Sequence, residues 1–214
     1  MKRDDYRRIA SWYDLLLNPF IRSLRPRGFN IFLTAEGMRV LEVGCGTGTQ
    51  LAYYRQRGCR VAGIDLSDAM LRVAHARFGQ PAFVCQADAV RLPFPDGAFH
   101  RVLASLVLHE MAPEVRPAVL DEMTRVLHPA GRLGIIDYHP EPERSFKGFW
   151  ARQFIRGIER AAGRRHYRHY RRFIDDGGIP ALVRGKGLHI EQVKRVSGGN
   201  IGLYRCRPRR RSMR

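Results

Sequence analysis

The sequence predicts an α/β fold in which a mostly parallel sheet is doubly wound, with helices on both faces. Three observations carry this. From Met38 onward, short apolar runs alternate with stretches of helical periodicity. The first run leads into a glycine-rich turn, Gly44-Cys45-Gly46-Thr47-Gly48, and then directly into a helical pattern. The run over 99–106 is almost continuously apolar, as in a strand covered on both faces.

Residues 1–34 precede the first core strand. Tyr6, Ile9, Ala10, Tyr13 and Leu16/Leu17 recur at helical spacing, which predicts an amphipathic helix over 5–17; Asn18-Pro19 and Pro26 interrupt the pattern. Residues 38–43 read as the first strand, 49–57 as a helix and 60–65 as the second strand. Ser67 suits the N-cap of a helix that buries Met70, Leu71, Ala74 and Phe78. Residues 81–86 and 99–106 give the third and fourth strands. A helix over 114–127 is stopped by His128-Pro129-Ala130-Gly131, and 132–138 form the fifth strand.

The pattern then changes. Phe146, Phe149, Trp150, Phe154, Ile158 and Ala161/Ala162 make a helical apolar face, which is expected to pack on the sheet. A strongly basic segment over 164–172 has Tyr167 and Tyr170 interleaved. Pro180 suits the first position of a further helix that Gly185 or Gly187 stops. Residues 189–196 and 200–207, joined by Ser197-Gly198-Gly199, read as a hairpin. The expected layout is a helical lid at 1–34, an α/β domain at 35–207 with a basic helical insertion at 144–187, and a basic tail at 208–214.

Composition bounds the function. The 214 residues suffice for one domain with a proper core. No apolar run approaches the ~20 residues of a membrane span, and no apolar signal core follows the charged N-terminus; the expected location is cytoplasmic. Cys45, Cys59, Cys85 and Cys206 form no CxxC pair and no metal-ligand spacing, so free buried thiols and no metal are expected. The net charge of +18 is uneven. Residues 144–172 hold ten Arg/Lys against Glu159 alone, and 205–214 hold six Arg and no acid. Such a surplus suits an anionic partner, either a phospholipid surface or nucleic acid; a merely solubilising surface is the competing reading.

The glycine turn narrows the ligand. Three glycines at alternate positions leave bare backbone against which a nucleotide-type ligand can lie, at a helix N-terminus. The third glycine of a dinucleotide fingerprint is replaced here by Thr49. Asp65, at the end of the second strand, is placed to accept from ribose hydroxyls, which NAD and S-adenosylmethionine share. Asp88, after the third strand, is placed to accept from an adenine amino group. Glu42 lies inside the first strand, where it can orient the turn.

The segments 42–48, 63–67, 87–89 and 125–133 resemble, in order, the motifs of class I S-adenosylmethionine-dependent methyltransferases. The segment 6–14 resembles the N-terminus of ubiquinone/menaquinone C-methyltransferases and bacterial phosphatidylethanolamine N-methyltransferases. The likeness implies a Rossmann-like, seven-stranded sheet with an antiparallel last strand. It also implies that S-adenosylmethionine is bound and S-adenosylhomocysteine released. By position, Gly44, Cys45, Gly46, Thr47 and Gly48 would hold the methionine part, and Asp65 the ribose. Leu66 and Met70 would pack near the adenine, Asp88 and Ala89 would meet its edge, and Ser105 and Leu106 would border the sulfonium.

His109 follows the fourth strand where substrate would approach, and Tyr138 ends the fifth strand at the same edge. Tyr13 could close over the cofactor. Each is a catalytic candidate, with a packing role as the alternative. The basic, aromatic stretch over 146–162 has the composition of an interfacial helix, so the expected acceptor is a small or lipid-associated molecule: a phospholipid amine headgroup or a quinone-like ring. An anionic membrane surface at the inner face of the membrane is a candidate partner. RNA methylation is the alternative, although the fourth-strand edge, Ala104-Ser105-Leu106-Val107, lacks the Asn/Asp-Pro-Pro-aromatic motif of base amino methylation. A non-catalytic binding module is the third reading.

Overall fold

A computed structural model of the chain describes residues 22–78, 84–141 and 145–209. The expected helix over 5–17, Tyr13 on it, and the end of the basic tail lie outside the described residues. The elements are α1 (Leu24–Ile31), β1 (Arg39–Val43), α2 (Thr49–Arg55), β2 (Arg60–Asp65), α3 (Asp68–Phe78), β3 (Val84–Gln86) and β4 (Phe99–Ser105). They continue with a 3₁₀ turn (Leu108–Glu110), α4 (Arg116–Arg125), β5 (Leu127–Tyr138), α5 (Phe146–Ala161), α6 (Arg164–Asp175), α7 (Gly178–Gly185), β6 (Leu188–Val196) and β7 (Ile201–Pro208).

The seven strands form one sheet in the order β3-β2-β1-β4-β5-β7-β6. β1 to β5 are parallel, and β7 runs antiparallel to both β5 and β6. This is the Rossmann-like arrangement expected. Val40, Leu41 and Val43 of β1 and Val102, Leu103 and Ala104 of β4 are fully or almost fully buried, because helices cover both faces of the central strands. The order reverses between β1 and β4, which leaves a crevice at their carboxyl ends.

Four local expectations need correction. The segment with Pro26 is helical: α1 carries the proline in its first turn, where its missing N–H costs no hydrogen bond. α4 ends at Arg125 and β5 already pairs Leu127 with Phe99, so His128–Gly131 is an irregularity within the strand rather than a helix stop. Pro129 has no N–H to donate to a ladder, and the Ala130 N–H turns to His128 Nδ1 instead. Pro180 is the third residue of α7 rather than the first. Of the four thiols, Cys85 is exposed and only Cys45, Cys59 and Cys206 are buried.

A fifth correction concerns α5. Its buried stripe is Gly148, Ile155 and Glu159, while Phe146 is 79% and Trp150 57% exposed. The cause is a close backbone approach. Gly198 sits at φ +62°, and a Cβ there would lie 2.3 Å from the Gly148 Cα. Asn200 also donates to the Gly148 carbonyl at 2.9 Å. Clamped against the β6–β7 loop on its glycine side, the helix turns its aromatic side outward. The basic segment that follows is the helix α6, which packs on α5 and on the 3₁₀ turn. No helix among the described residues is long and apolar enough to cross a membrane.

Candidate active site

The glycine turn is positioned by main-chain bonds to the neighbouring strand. Gly44 and Cys45 both donate to the Ile64 carbonyl, at 2.8 and 2.9 Å. Gly44, Gly46 and Gly48 have φ of +71°, +53° and +72°, a left-handed run that residues with a Cβ resist. A Cβ at Gly44 would strike Val107 and one at Gly48 would strike Phe78, each at 2.6 Å. A Cβ at Gly46 would meet no atom of the described residues within 4 Å. The middle glycine therefore borders open space of the kind a ligand can fill, while its neighbours are packed.

Asp65 joins this turn to the next. Its Oδ2 accepts the Gly46 N–H at 2.8 Å and its Oδ1 the Ser67 N–H at 2.9 Å. Ser67 Oγ accepts the Met70 N–H at 3.1 Å, as expected of an N-cap, and Met70 is buried. Leu66 is exposed, and Gln86 donates to its carbonyl at 2.9 Å. Asp88 is exposed at the end of β3, accepting the Val90 N–H at 3.2 Å, and Ala89 beside it is buried. Thr47 is buried with its hydroxyl 2.9 Å from that of Thr49. Ser105 accepts from Gln50 at 2.8 Å, tying the end of β4 to α2. Leu106 takes a left-handed φ of +54°, unusual for a residue with a branched side chain, and its N–H bonds the Ile136 carbonyl at 2.7 Å.

Glu42 is buried, and among the described residues its Oε2 has no hydrogen-bond partner. Burial lifts its pKa to about 8 against the lowering effect of the Arg25 charge, with Asp65 raising it further. An orphaned carboxyl oxygen beside an open glycine cradle suits a ligand that carries positive charge.

On the other side of the crevice, beyond β4, a second group of polar side chains is buried under the helical cap. Asp137, fully buried on β5, accepts the Leu108, His109 and Tyr138 N–H groups and lies 2.7 Å from His109 Nδ1. Tyr138 donates to Glu159 Oε1 at 2.7 Å, and His166 Nε2 lies 2.6 Å from Glu159 Oε2. Burial lowers the His109 pKa, but the Asp137 charge and hydrogen bond, with Glu159 and Glu110, outweigh it and hold the ring up at about 9. Burial opposes ionisation of Glu159, yet the His166 hydrogen bond and the His109 charge keep its carboxyl below the usual range. Burial and the Glu159 charge push Tyr138 well above a normal phenol. Arg116 caps this group from behind, donating to the carbonyls of Leu108, Met111 and His169.

The structure thus gathers Glu42, the 44–48 turn, Asp65 and Ser105 around one crevice, and holds His109 and Tyr138 in a separate cluster. Both His109 and Tyr138 are buried. Sequence reading missed Asp137, Glu159 and Arg116. Asp137 is the one acid in its strand, directly after the apolar run Leu133–Ile136, and Glu159 is the one acid in a basic helix; each oddity was available as a signal.

Residues 41–135 match the family model described as methyltransferase domain. The chain is 33% identical over 180 residues to a demethylmenaquinone methyltransferase of Beutenbergia cavernae, covering 80% of this chain and 74% of that protein. The chain belongs to the S-adenosylmethionine-dependent methyltransferases. This methyltransferase is also 28% identical to a ubiquinone/menaquinone biosynthesis C-methyltransferase UbiE of Cupriavidus metallidurans, over 92% of this chain and 87% of the other. Its fold matches a crystal structure of a SAM-dependent methyltransferase from Aquifex aeolicus with a TM-score of 0.61 at 21% identity, covering 85% and 88% of the two chains. The cofactor of this methyltransferase is S-adenosylmethionine, and both observations at the crevice, the orphaned Glu42 oxygen and the open space over Gly46, fit that cationic ligand.

Proposed function

We propose that this methyltransferase acts on a small, lipid-associated aromatic acceptor of the quinone type. The carrying observation is the two-sidedness of α5. Its inner face supplies Glu159 to the cluster around His109 and Tyr138, at the carboxyl edge of β4 and β5. Its outer face presents Phe146, Phe149 and Trp150 beside Lys147. One helix therefore connects the acceptor side of the crevice to a surface suited to lipid. The quinone substrates named for the two relatives support the same acceptor class.

Bound cofactor supplies an electrophilic methyl group on a sulfonium. The chain's own contribution is to bind, orient and exclude water. In this reading Gly44, Cys45, Gly46, Thr47 and Gly48 would hold the methionine portion, close to Glu42. Asp65 would hold the ribose, Leu66 and Met70 would pack near the adenine, and Asp88 with Ala89 would meet its edge. Ser105 and Leu106 would border the sulfonium. His109 and Tyr138, being buried, serve as positioning residues that anchor the cap over the end of β5. Tyr13 remains a candidate to close the crevice from the lid at 1–34.

The test is methyl transfer from labelled cofactor to separated lipid, RNA, protein and small-molecule fractions, followed by a defined demethylated quinol. Label is expected in the quinone-bearing lipid fraction and on the quinol ring. Label confined to phospholipid or RNA, or absent from every fraction, overturns the acceptor assigned here.

A further inference from the structure

We propose that His109, Glu159 and His166 form a binding site for one divalent transition-metal ion of the zinc class. One donor atom from each lies within 4.8 Å of the other two. Two imidazole nitrogens and a carboxylate oxygen are a donor set that such ions accept. The three residues are 50 and 7 positions apart in sequence, so no spacing motif could announce them.

The geometry around the donors is that of a prepared site. Asp137 Oδ1 also receives the Tyr138 N–H, so it acts as an acceptor toward His109 and a proton of the ring sits on Nδ1. Nε2 faces Glu159 Oε1, 3.7 Å away and beyond hydrogen-bond reach, so the two would share an ion once Nε2 gives up its proton. A carboxylate behind a ligating histidine is the usual support of a metal site. Tyr138 fixes Glu159 in the same way, through its hydroxyl on Oε1. His166 Nε2, 2.6 Å from Glu159 Oε2, would give its proton to solvent and its lone pair to the ion.

Charge points the same way. The Asp137 side chain is 0% and that of Glu159 4% exposed. Among the described residues neither is paired with a lysine or arginine; their ion-pair partners are imidazoles alone. The Arg116 guanidinium that caps the group donates to carbonyls rather than to either carboxylate, and buried carboxylates partnered by imidazoles favour a further cation. The donors come from the 3₁₀ turn, α5 and α6, so the ion would pin both cap helices to the end of β4. Three protein donors leave a coordination position for water.

The site is independent of the acceptor class, and its test needs no activity. Full-length protein stripped with chelator is titrated calorimetrically with Zn²⁺. One equivalent should bind, and Tm should rise by roughly 5–10 °C at a hundredfold excess over Kd. Binding should vanish in Glu159→Gln and His166→Gln. It should persist in Cys85→Ser, which removes the exposed thiol, and in the double variant His100→Ala/His128→Ala, which removes an imidazole pair 5.4 Å apart at the surface. No binding by the unmodified chain, binding retained in Glu159→Gln and His166→Gln, or binding lost with the surface pair overturns the proposal. Should a cluster variant fail to fold, Co²⁺ on the unmodified chain decides. It should shift the His109 and His166 imidazole resonances without thiolate charge transfer, and shifts confined to His100 and His128 overturn the site.

Discussion

Asp65 and Gly46 are joined by a 2.8 Å hydrogen bond from the Gly46 N–H to the Asp65 carboxylate. The acid at the end of β2 thus holds the middle of the glycine turn at the end of β1, with its other oxygen on the Ser67 N–H. One side chain fixes the loops after two adjacent strands. That arrangement gives Asp65 the duty of shaping the cradle, to which the proposed function adds that of meeting the cofactor.

Asp65→Ala removes both. Bonds to a charged acceptor contribute about 1.5–3 kcal/mol each, so the variant should lose stability in chemical denaturation. Its affinity for S-adenosylmethionine should fall at least about a hundredfold, which is about 2.7 kcal/mol. Asp65→Asn keeps an acceptor for one of the two N–H groups and should unfold closer to the parent while still binding poorly. Calorimetric titration showing unchanged cofactor affinity in Asp65→Ala would refute the role given to this residue.

Gly46→Ala separates ligand space from protein packing. The new methyl would touch none of the described residues within 4 Å, so the cost to stability is that of the left-handed backbone, about 1–2 kcal/mol. Cofactor affinity should fall more than about tenfold, since the methyl occupies the space assigned to the ligand. Gly44→Ala, whose methyl would strike Val107 at 2.6 Å, should instead lose stability more severely. Equal cofactor binding by Gly46→Ala and the parent would place the ligand elsewhere.

The parallel half of the fold was legible because each of its elements repeats one signal: an apolar run, a turn, a helical stripe. β1, β2 and β4 fall within one residue of their expected bounds for that reason. The glycine turn was legible because Gly44, Gly46 and Gly48 are local in sequence and only glycine takes such a left-handed run readily; the bond from the Gly46 N–H to Asp65 that holds it was not. The cap was not. The orientation of α5 is decided by a backbone contact between Gly148 and Gly198, fifty residues apart, and helical periodicity alone points its aromatic face inward. The partnership of His109 with Asp137, Glu159 and His166 is likewise a product of tertiary packing: four residues from four elements carry no joint pattern in the chain.

Glu42 makes stability and binding respond to pH in opposite senses. Its pKa in the folded chain is about 8, above the ordinary 4.5, so the folded form holds a proton that the unfolded form releases between those values. Stability therefore falls as pH rises through that window, because the unfolded state binds fewer protons there. A cation bound beside the carboxyl favours its ionised form, so cofactor binding at neutral pH should release up to about one proton. Glu42→Gln should flatten the stability profile between pH 4.5 and about 8 and abolish that release. Titrations in buffers of different ionisation enthalpy measure it directly, and the same release from Glu42→Gln would exclude Glu42 as its source.

The outward face of α5 supplies the last prediction. Phe146 and Trp150 stack edge to face with their centroids 6.2 Å apart, and both are exposed. Arg152 and Arg156 on the same helix are half-buried, whereas Arg205 and Arg207 are already engaged by Glu191 at 3.1 Å. The basic surplus available to a partner is therefore concentrated on the cap rather than on the last strand. Each basic residue near an anionic membrane contributes about 1 kcal/mol and is screened by salt, while burying an aromatic side chain contributes about 1.5–3 kcal/mol and is not. The chain should sediment with anionic vesicles at low salt and partly detach as salt rises. Phe146→Ser/Trp150→Ser should cut binding at least about tenfold at every salt concentration without altering Tm, because neither side chain is packed in the core. Arg152→Glu/Arg156→Glu should instead remove the salt-sensitive part. Absence of vesicle binding at low salt would disprove the lipid-facing role of α5.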